Sequence, residues 1–206
     1  MTKEKKYLFF FLAVFLLFVG VEFFSPQQID WKQSFSRKDK IPFGTYVLYD
    51  VLPNIFPGKK CYENKESFYD YLSFQENPKN NLLIINKDFM PDELDLEVLL
   101  DYVYDGNHAF IAAEEFGQNF SDSVGISTAT GFSHAFNNND SASLILINAG
   151  LKPMGKFWFK AGVASAYFDH YDSLRTTPLG QTSHGKTNFI AVRYGKGKFL
   201  LHTAPL

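Results

Sequence analysis

The apolar positions fall into three textures along the chain. From Tyr7 to Val21 the run YLFFFLAVFLLFVGV carries no charge, and its five phenylalanines and four leucines leave no polar side. A helix of that kind argues against a half-solvated core element and for a membrane anchor or a signal peptide. After Gly20 come Val21, Glu22, Phe23 and Phe24, bulky or charged where a cleavage site wants small residues, so an uncleaved anchor is expected. Lys3, Lys5 and Lys6 precede the run, and the nearest positive charges beyond it are Lys32 and Arg37. The positive-inside bias then places Met1 in the cytoplasm and everything after about Ser25 outside it.

The second texture has helical period. Residues 25–40 are polar and begin with Pro26, as suits a juxtamembrane linker. Phe43, Val47, Leu48, Val51, Leu52 and Ile55 recur at helical spacing until Pro57-Gly58 stops them. A short strand over Lys60 to Glu63 and a helix over Ser67 to Phe74 are predicted next, before the turn Asn77-Pro78-Lys79-Asn80-Asn81. Leu82 to Ile85 is continuously apolar, as in a strand covered on both faces. Pro91 and Asp92 open a helix whose first turn is acidic, whose apolar face is Leu94, Val98, Leu99, Tyr102 and Val103, and whose stop is Gly106. With a buried strand over Ala109 to Ala113 this makes a βαβ unit, hence parallel pairing with a right-handed crossover.

Beyond Asn137 the third texture is one of short, aromatic-rich strands without helical period. They are predicted over Ser143 to Ile147, Gly155 to Lys160, Ala164 to Asp169, Asn188 to Arg193 and Lys198 to Thr203. The patch Asn137 to Asp140 reads as a loop.

Composition narrows the picture. With 206 residues, an anchor of about two dozen leaves one domain of ordinary size. The 23 Phe and 11 Tyr exclude a disordered chain and imply a core built on rings. The formal charge is −2 and no basic stripe exists, which argues against a nucleic-acid partner. Cys61 is the only cysteine, so no internal disulfide and no cysteine-based zinc site can form.

Four stretches, IPFGTYVLYDVLPNIFPGK at 41–59, NLLIINKDF at 81–89, LLDYVYDGNHAFIAA at 99–113 and YGKGKFLLHTAP at 194–205, resemble one bacterial membrane-anchored family, domain of unknown function 4350. The first is the most specific. The resemblance runs from about Ile41 to the end and implies an α/β fold, a mainly parallel sheet flanked by helices similar to class I glutamine amidotransferases and flavodoxin-like proteins. A short-strand antiparallel C-terminal part and one N-terminal transmembrane helix complete the expectation. Family members often continue further, so the chain is expected to be truncated at Leu206, with apolar surface exposed over Phe199 to Leu206. Partners encoded beside MoxR-type ATPases and von Willebrand-type proteins are implied; the family's biochemical role is unassigned.

An amidotransferase needs a cysteine at a tight strand-to-helix elbow. Here Ala109 to Ala113 leads instead into Glu114-Glu115-Phe116-Gly117, and Cys61 lies far upstream, where it reads as a small hydrophobe. Glu114 and Glu115 suit acid–base work by type, although adjacent carboxylates seldom converge on one substrate and solvated loop positions account for them. His108, His134, His170, His184 and His202 lack a paired i, i+4 spacing, which points to no metal. His170 beside Asp169 and Asp172 is the most suggestive group, equally explained by a polar strand end. Gly195-Lys196-Gly197-Lys198 lacks the spacing of a phosphate loop and reads as a hairpin turn. Ser133-His134 and Ser183-His184 are adjacent pairs, a poor geometry for proton transfer.

The sequence therefore predicts a membrane-tethered, extracytoplasmic domain, residues 41–206, without catalytic residues, cofactor or metal, that binds a partner protein or small ligand. Residues 7–24 engage the bilayer. The candidate ligand-contacting residues are Tyr46, Asn86, Glu114 and Glu115. The alternative is a hydrolase using carboxylate or histidine chemistry at the carboxyl edge of the sheet.

Overall fold

The computed structural model describes residues 3–25, 29–75, 79–131, 141–151, 155–160 and 166–205. The predicted loop Asn137 to Asp140, the pair Ser133-His134, Asn77-Pro78 of the predicted turn and Ala164 of the predicted strand lie outside them. Helix α1 spans Lys3–Phe24 and none of its residues is buried. At about 1.5 Å per residue its 22 residues reach about 33 Å, and it is the one helix among the described residues long and apolar enough to cross a membrane. Part of the predicted linker folds onto the start of the domain. Phe35 N–H donates to Phe43 O, Thr45 Oγ1 donates to Phe35 O, and Arg37 pairs with Glu63 while its guanidinium lies over the Tyr49 ring.

Helix α2, Tyr46–Ile55, begins three residues later than Phe43 because Ile41 to Gly44 close a turn. The strand expected over Lys60 to Glu63 does not form. Helix α3, Phe68–Ser73, is capped by Ser67, whose hydroxyl accepts from Asp70 N–H. Strand β1, Asn81–Ile85, and a two-residue β2, Asp88–Phe89, precede helix α4, Glu93–Tyr104, whose cap Asp92 accepts from Asp95 N–H at 2.8 Å. The buried face of α4 is Leu96, Leu99, Tyr102 and Val103; Leu94, expected inside, is 54% exposed. Strand β3 is His108–Ala112 and pairs with β1 in parallel, as the βαβ reading requires.

The remaining elements are β4 (Glu115–Phe116), α5 (Gln118–Val124), β5 (Ile126–Thr130), β6 (Ser141–Leu146), β7 (Lys156–Lys160), β8 (Ala166–Tyr171), β9 (Thr176–Thr182), β10 (Thr187–Tyr194) and β11 (Gly197–His202). A 3-10 turn at Ala149–Leu151 is the only helical piece beyond residue 137 among the described residues. The main sheet has the order β1-β3-β11-β10-β9-β6-β7. Only β1–β3 and β3–β11 are parallel; the other four neighbour pairs are antiparallel. This overturns the expectation of a mainly parallel, amidotransferase-like or flavodoxin-like sheet. The cause is the last hairpin. Its second strand, β11, docks beside β3, and every pair beyond it, β11–β10, β10–β9, β9–β6 and β6–β7, is antiparallel. The Gly195-Lys196 turn makes the hairpin: Gly195 has φ +57°, and a β carbon at Gly197 would collide with the carbonyl oxygens of Val103 and Asn107.

The core lies between α4, α5 and one face of the sheet. Leu99, Val103, Ile111, Phe120, Val124, Ile190, Val192, Phe199 and Leu201 are all fully buried. Rings form its spine: Phe120 meets Phe89 edge-on at 5.0 Å and Phe199 at 5.4 Å, and stacks on Phe116. Of the segment Phe199 to Leu206 expected to expose apolar surface, Phe199, Leu201 and Ala204 are buried, and Leu206 lies outside the described residues.

Candidate functional site

The carboxyl ends of β1 and β3 carry three of the four predicted residues. Asn86 N–H donates to Ala112 O at 3.1 Å, and its own side-chain oxygen accepts from Lys87 N–H at 2.8 Å. Glu114 N–H donates to Lys87 O at 2.7 Å. The two strand ends then continue as the short parallel pair β2–β4, with Asp88 opposite Glu115. No strand-to-helix elbow forms at Glu114. Helix α5 starts only after Phe116 and Gly117, and Gln118 and Asn119 open it, neither of them a nucleophile. Tyr46 is not brought here: it is on α2, and its ring lies against the Lys40 ammonium at 4.5 Å.

Burial raises the pKa of the half-buried Glu114 carboxyl above its ordinary value, Lys87 opposes the rise, and Asp88 and Glu115 add to it. Asp88 Oδ1 is buried without a hydrogen-bond partner among the described residues. Glu115 is exposed. Cys61 is half-buried in the coil between α2 and α3, away from this edge.

The four described histidines do not converge on Glu114. The backbone of His202 touches the edge, Ala113 N–H donating to its carbonyl at 3.0 Å, but its ring contacts Ala204 and Asn188. His108 sits at the opposite, amino end of β3. His170 has neighbours already engaged: Asp169 accepts from the Ser127 hydroxyl, and Asp172 accepts from Arg175 Nε and Leu174 N–H. Ser183 and His184 meet at 3.3 Å in an exposed turn. Among the described residues no group of three histidine, cysteine or acidic side chains is placed to hold a metal.

Two cavities stand out among the described residues, and neither is lined by Glu114. The larger, about 560 Å³, lies at the amino ends of β1 and β3, between Asn80, Asn81, Asn107 and His108 on one side and Tyr102 and Asp105 at the end of α4 on the other. Tyr102 closes its floor by donating to Asn80 O at 2.6 Å, and burial pushes that phenol well above its ordinary pKa. The smaller, about 210 Å³, opens over β6, β7, β9 and β10, with Asn188 and His202 in its wall. In the linear chain His202 is only one scattered histidine, and nothing there singles out Asn188.

No family model matches the chain, and no curated protein does. Among solved structures it is similar to the exo-β-1,4-mannosidase Op5Man5 from Opitutaceae bacterium strain TAV5, at 14% identity and TM-score 0.40, over 58% of this chain and 21% of that one. It is similar to the β-galactosidase from Bacillus circulans sp. alkalophilus at 11% identity and TM-score 0.42, over 62% and 20%. A cytoplasmic protein of Salmonella typhimurium LT2, STM1381, gives 13% and 0.36 over 52% and 47%. The chain thus spans about a fifth of the length of the two glycosidases and under half of the third protein. Likeness at this level carries no assignment of activity.

Proposed function

We propose that the protein is a single-pass, membrane-tethered domain that works by binding a partner protein or small ligand outside the cytoplasm, without chemistry of its own. The tether reading rests on α1, whose first turn carries Lys3, Lys5 and Lys6 ahead of the uncharged run from Tyr7 to Val21. The observation that carries the non-catalytic reading is the carboxyl edge: two residues past β3, Glu114 stands in a bend that leads into the two-residue β4, and Gln118 and Asn119, not a nucleophile, open the helix that follows. Membership of the family designated domain of unknown function 4350, with partners of the MoxR-type ATPase and von Willebrand-type systems, belongs to the same proposal. Protease protection in sealed membranes tests the orientation. Degradation of the domain from the cytoplasmic side alone overturns it. Incubation of the full chain in lipid nanodiscs with glutamine and simple esters tests the chemistry, and no turnover is expected.

One observation favours a second reading. Glu114 has a raised pKa near the unpartnered, buried oxygen of Asp88, as in a site where two carboxylates share a proton. Hydrolysis abolished by both Glu114→Gln and Asp88→Asn would establish this carboxylate-based hydrolase instead.

A further inference from the structure

The smaller cavity is built by register. Across four strands His202, Phe189, Gly180 and Leu146 are paired in one row. Phe189 and His202 rings meet at 5.4 Å, and the missing side chain of Gly180 leaves a gap between Phe189 and Leu146. A β carbon at Gly180 would fit tightly, 3.1 Å from Phe189 Cβ and 3.3 Å from Asn188 Oδ1, so Oδ1 lies beside that position. The register of β9 against β10 shifts on both sides of Phe189. Leu144, Leu146 and Phe157 make the rest of the wall apolar, and Phe157, on the edge strand β7 and 45% exposed, marks the open side.

Inside this wall sits one unmet polar group. Asn188 is 1% exposed, and its Oδ1 has no partner among the described residues. The amide is oriented with Nδ2 toward His202, an arrangement that one tautomer of the ring supports. His202 Nδ1 lies 2.9 Å from Ala204 O and 3.1 Å from Ala204 N. A proton on Nδ1 serves the shorter contact and leaves Nε2 as the acceptor for Asn188 Nδ2–H at 3.4 Å. Burial depresses the His202 pKa to about 4, so the ring is neutral at pH 7 and carries one proton only. Oδ1 then remains as a buried acceptor that no described side chain serves. Such an atom is unfavourable unless something donates to it.

We propose that this cavity is a binding site for a small neutral molecule with an apolar, ring-sized body and a single O–H or N–H donor, the donor being accepted by Asn188 Oδ1. The volume of about 210 Å³ exceeds the roughly 150 Å³ that holds benzene, and it falls short of the ~300 Å³ at which sites for larger ligands begin. The apolar wall and the neutral histidine both disfavour a charged ligand. The proposal deepens the binding reading above and rests on it.

Phenol and toluene distinguish the acceptor from mere greasiness, because they share a ring and differ in the donor. The full chain, methyl-labelled at leucine and isoleucine in nanodiscs, is titrated with each by NMR. Phenol is expected to shift the Leu144, Ile145 and Leu146 methyls saturably and to bind about tenfold more tightly than toluene. Asn188→Leu should bring the two affinities together, and Gly180→Ala should weaken both by crowding the gap. Equal affinities in the unmodified chain, or no saturable shift with either probe, overturn the proposal; should Asn188→Leu fail to fold, that comparison alone decides. Failure here leaves the turnover assays untouched, whereas hydrolysis lost with Glu114→Gln removes the non-catalytic reading and leaves the methyl shifts in place.

Discussion

Two asparagines show how differently the two halves of the sheet treat polar groups. At the parallel end, Asn86 folds its side-chain oxygen onto the next backbone N–H, beside Lys87, Asp88, Glu114 and Glu115. At the antiparallel end, Asn188 is buried in an apolar wall with its oxygen unserved. The first region is rich in functional residue types. The second has two polar side chains in the wall of a cavity open on one side. Chemical variety at a strand end is a weaker indicator of binding than one unsatisfied group in a desolvated place, because only the latter stores free energy that a ligand can release.

The support shared by both halves gives the largest expected effect. Phe120 is fully buried and touches Phe89, which extends the parallel end, and Phe199 of β11, the strand that joins the halves. Phe120→Ala should cost about 3–5 kcal/mol, through lost transfer energy and the cavity left behind. Urea unfolding of the full chain in nanodiscs, followed by tyrosine and tryptophan fluorescence, reads it. A loss under about 1 kcal/mol would mean that the two halves do not depend on one core.

The next effect separates the regions by pH. His202 has its folded pKa lowered to about 4 from an ordinary 6.5, so its contribution is complete above pH 6.5 and is lost as pH falls toward 4. The span corresponds to about 3 kcal/mol. His202→Gln should flatten that part of the stability–pH curve. Glu114 behaves oppositely: its folded pKa is raised, so its contribution is present at low pH and lost as pH rises through that pKa. Glu114→Gln should therefore stabilise the protein at pH 7, and by less than His202 contributes, since Glu114 is half-solvated. Destabilisation by Glu114→Gln at neutral pH would show that the carboxylate has a partner at that edge.

These contrasts reflect what local patterning encodes. The βαβ unit was legible because α4 and its flanking strands carry their own caps, period and apolar runs, all within about 30 residues of chain. Helix α5 was not, since QNFSDSV is mostly polar and its only helical sign is the four-residue spacing of Phe120 and Val124. Strand β9 was hidden by Pro178 and Gly180, residues that read as a turn. It lies inside the sheet even so, with Pro178 where its register against β10 shifts. The parallel-sheet expectation came from the βαβ unit and the family resemblance, and β9 and the placement of β11 are what overturn it. The smaller cavity was hidden for a related reason: Asn188, Gly180 and His202 meet only through a register that no local pattern specifies, whereas Asn86 and Glu114 are conspicuous in the linear sequence.

The smallest effect is the control for both regions. Cys61 is the one cysteine, half-buried in coil between α2 and α3, and it lines neither cavity. Serine is close to it in size and loses only a weakly polar sulfur in a place already reached by solvent. Cys61→Ser should thus change stability by no more than about 0.5 kcal/mol and leave the phenol shifts at Leu144 and Leu146 where they were. The same measurements also examine the missing nucleophile, because a thiol that took part in chemistry would react rapidly with iodoacetamide near neutral pH and lose turnover on substitution. Ordinary, slow labelling together with a silent substitution would leave the differences between the two halves of the sheet to be read without interference from this residue.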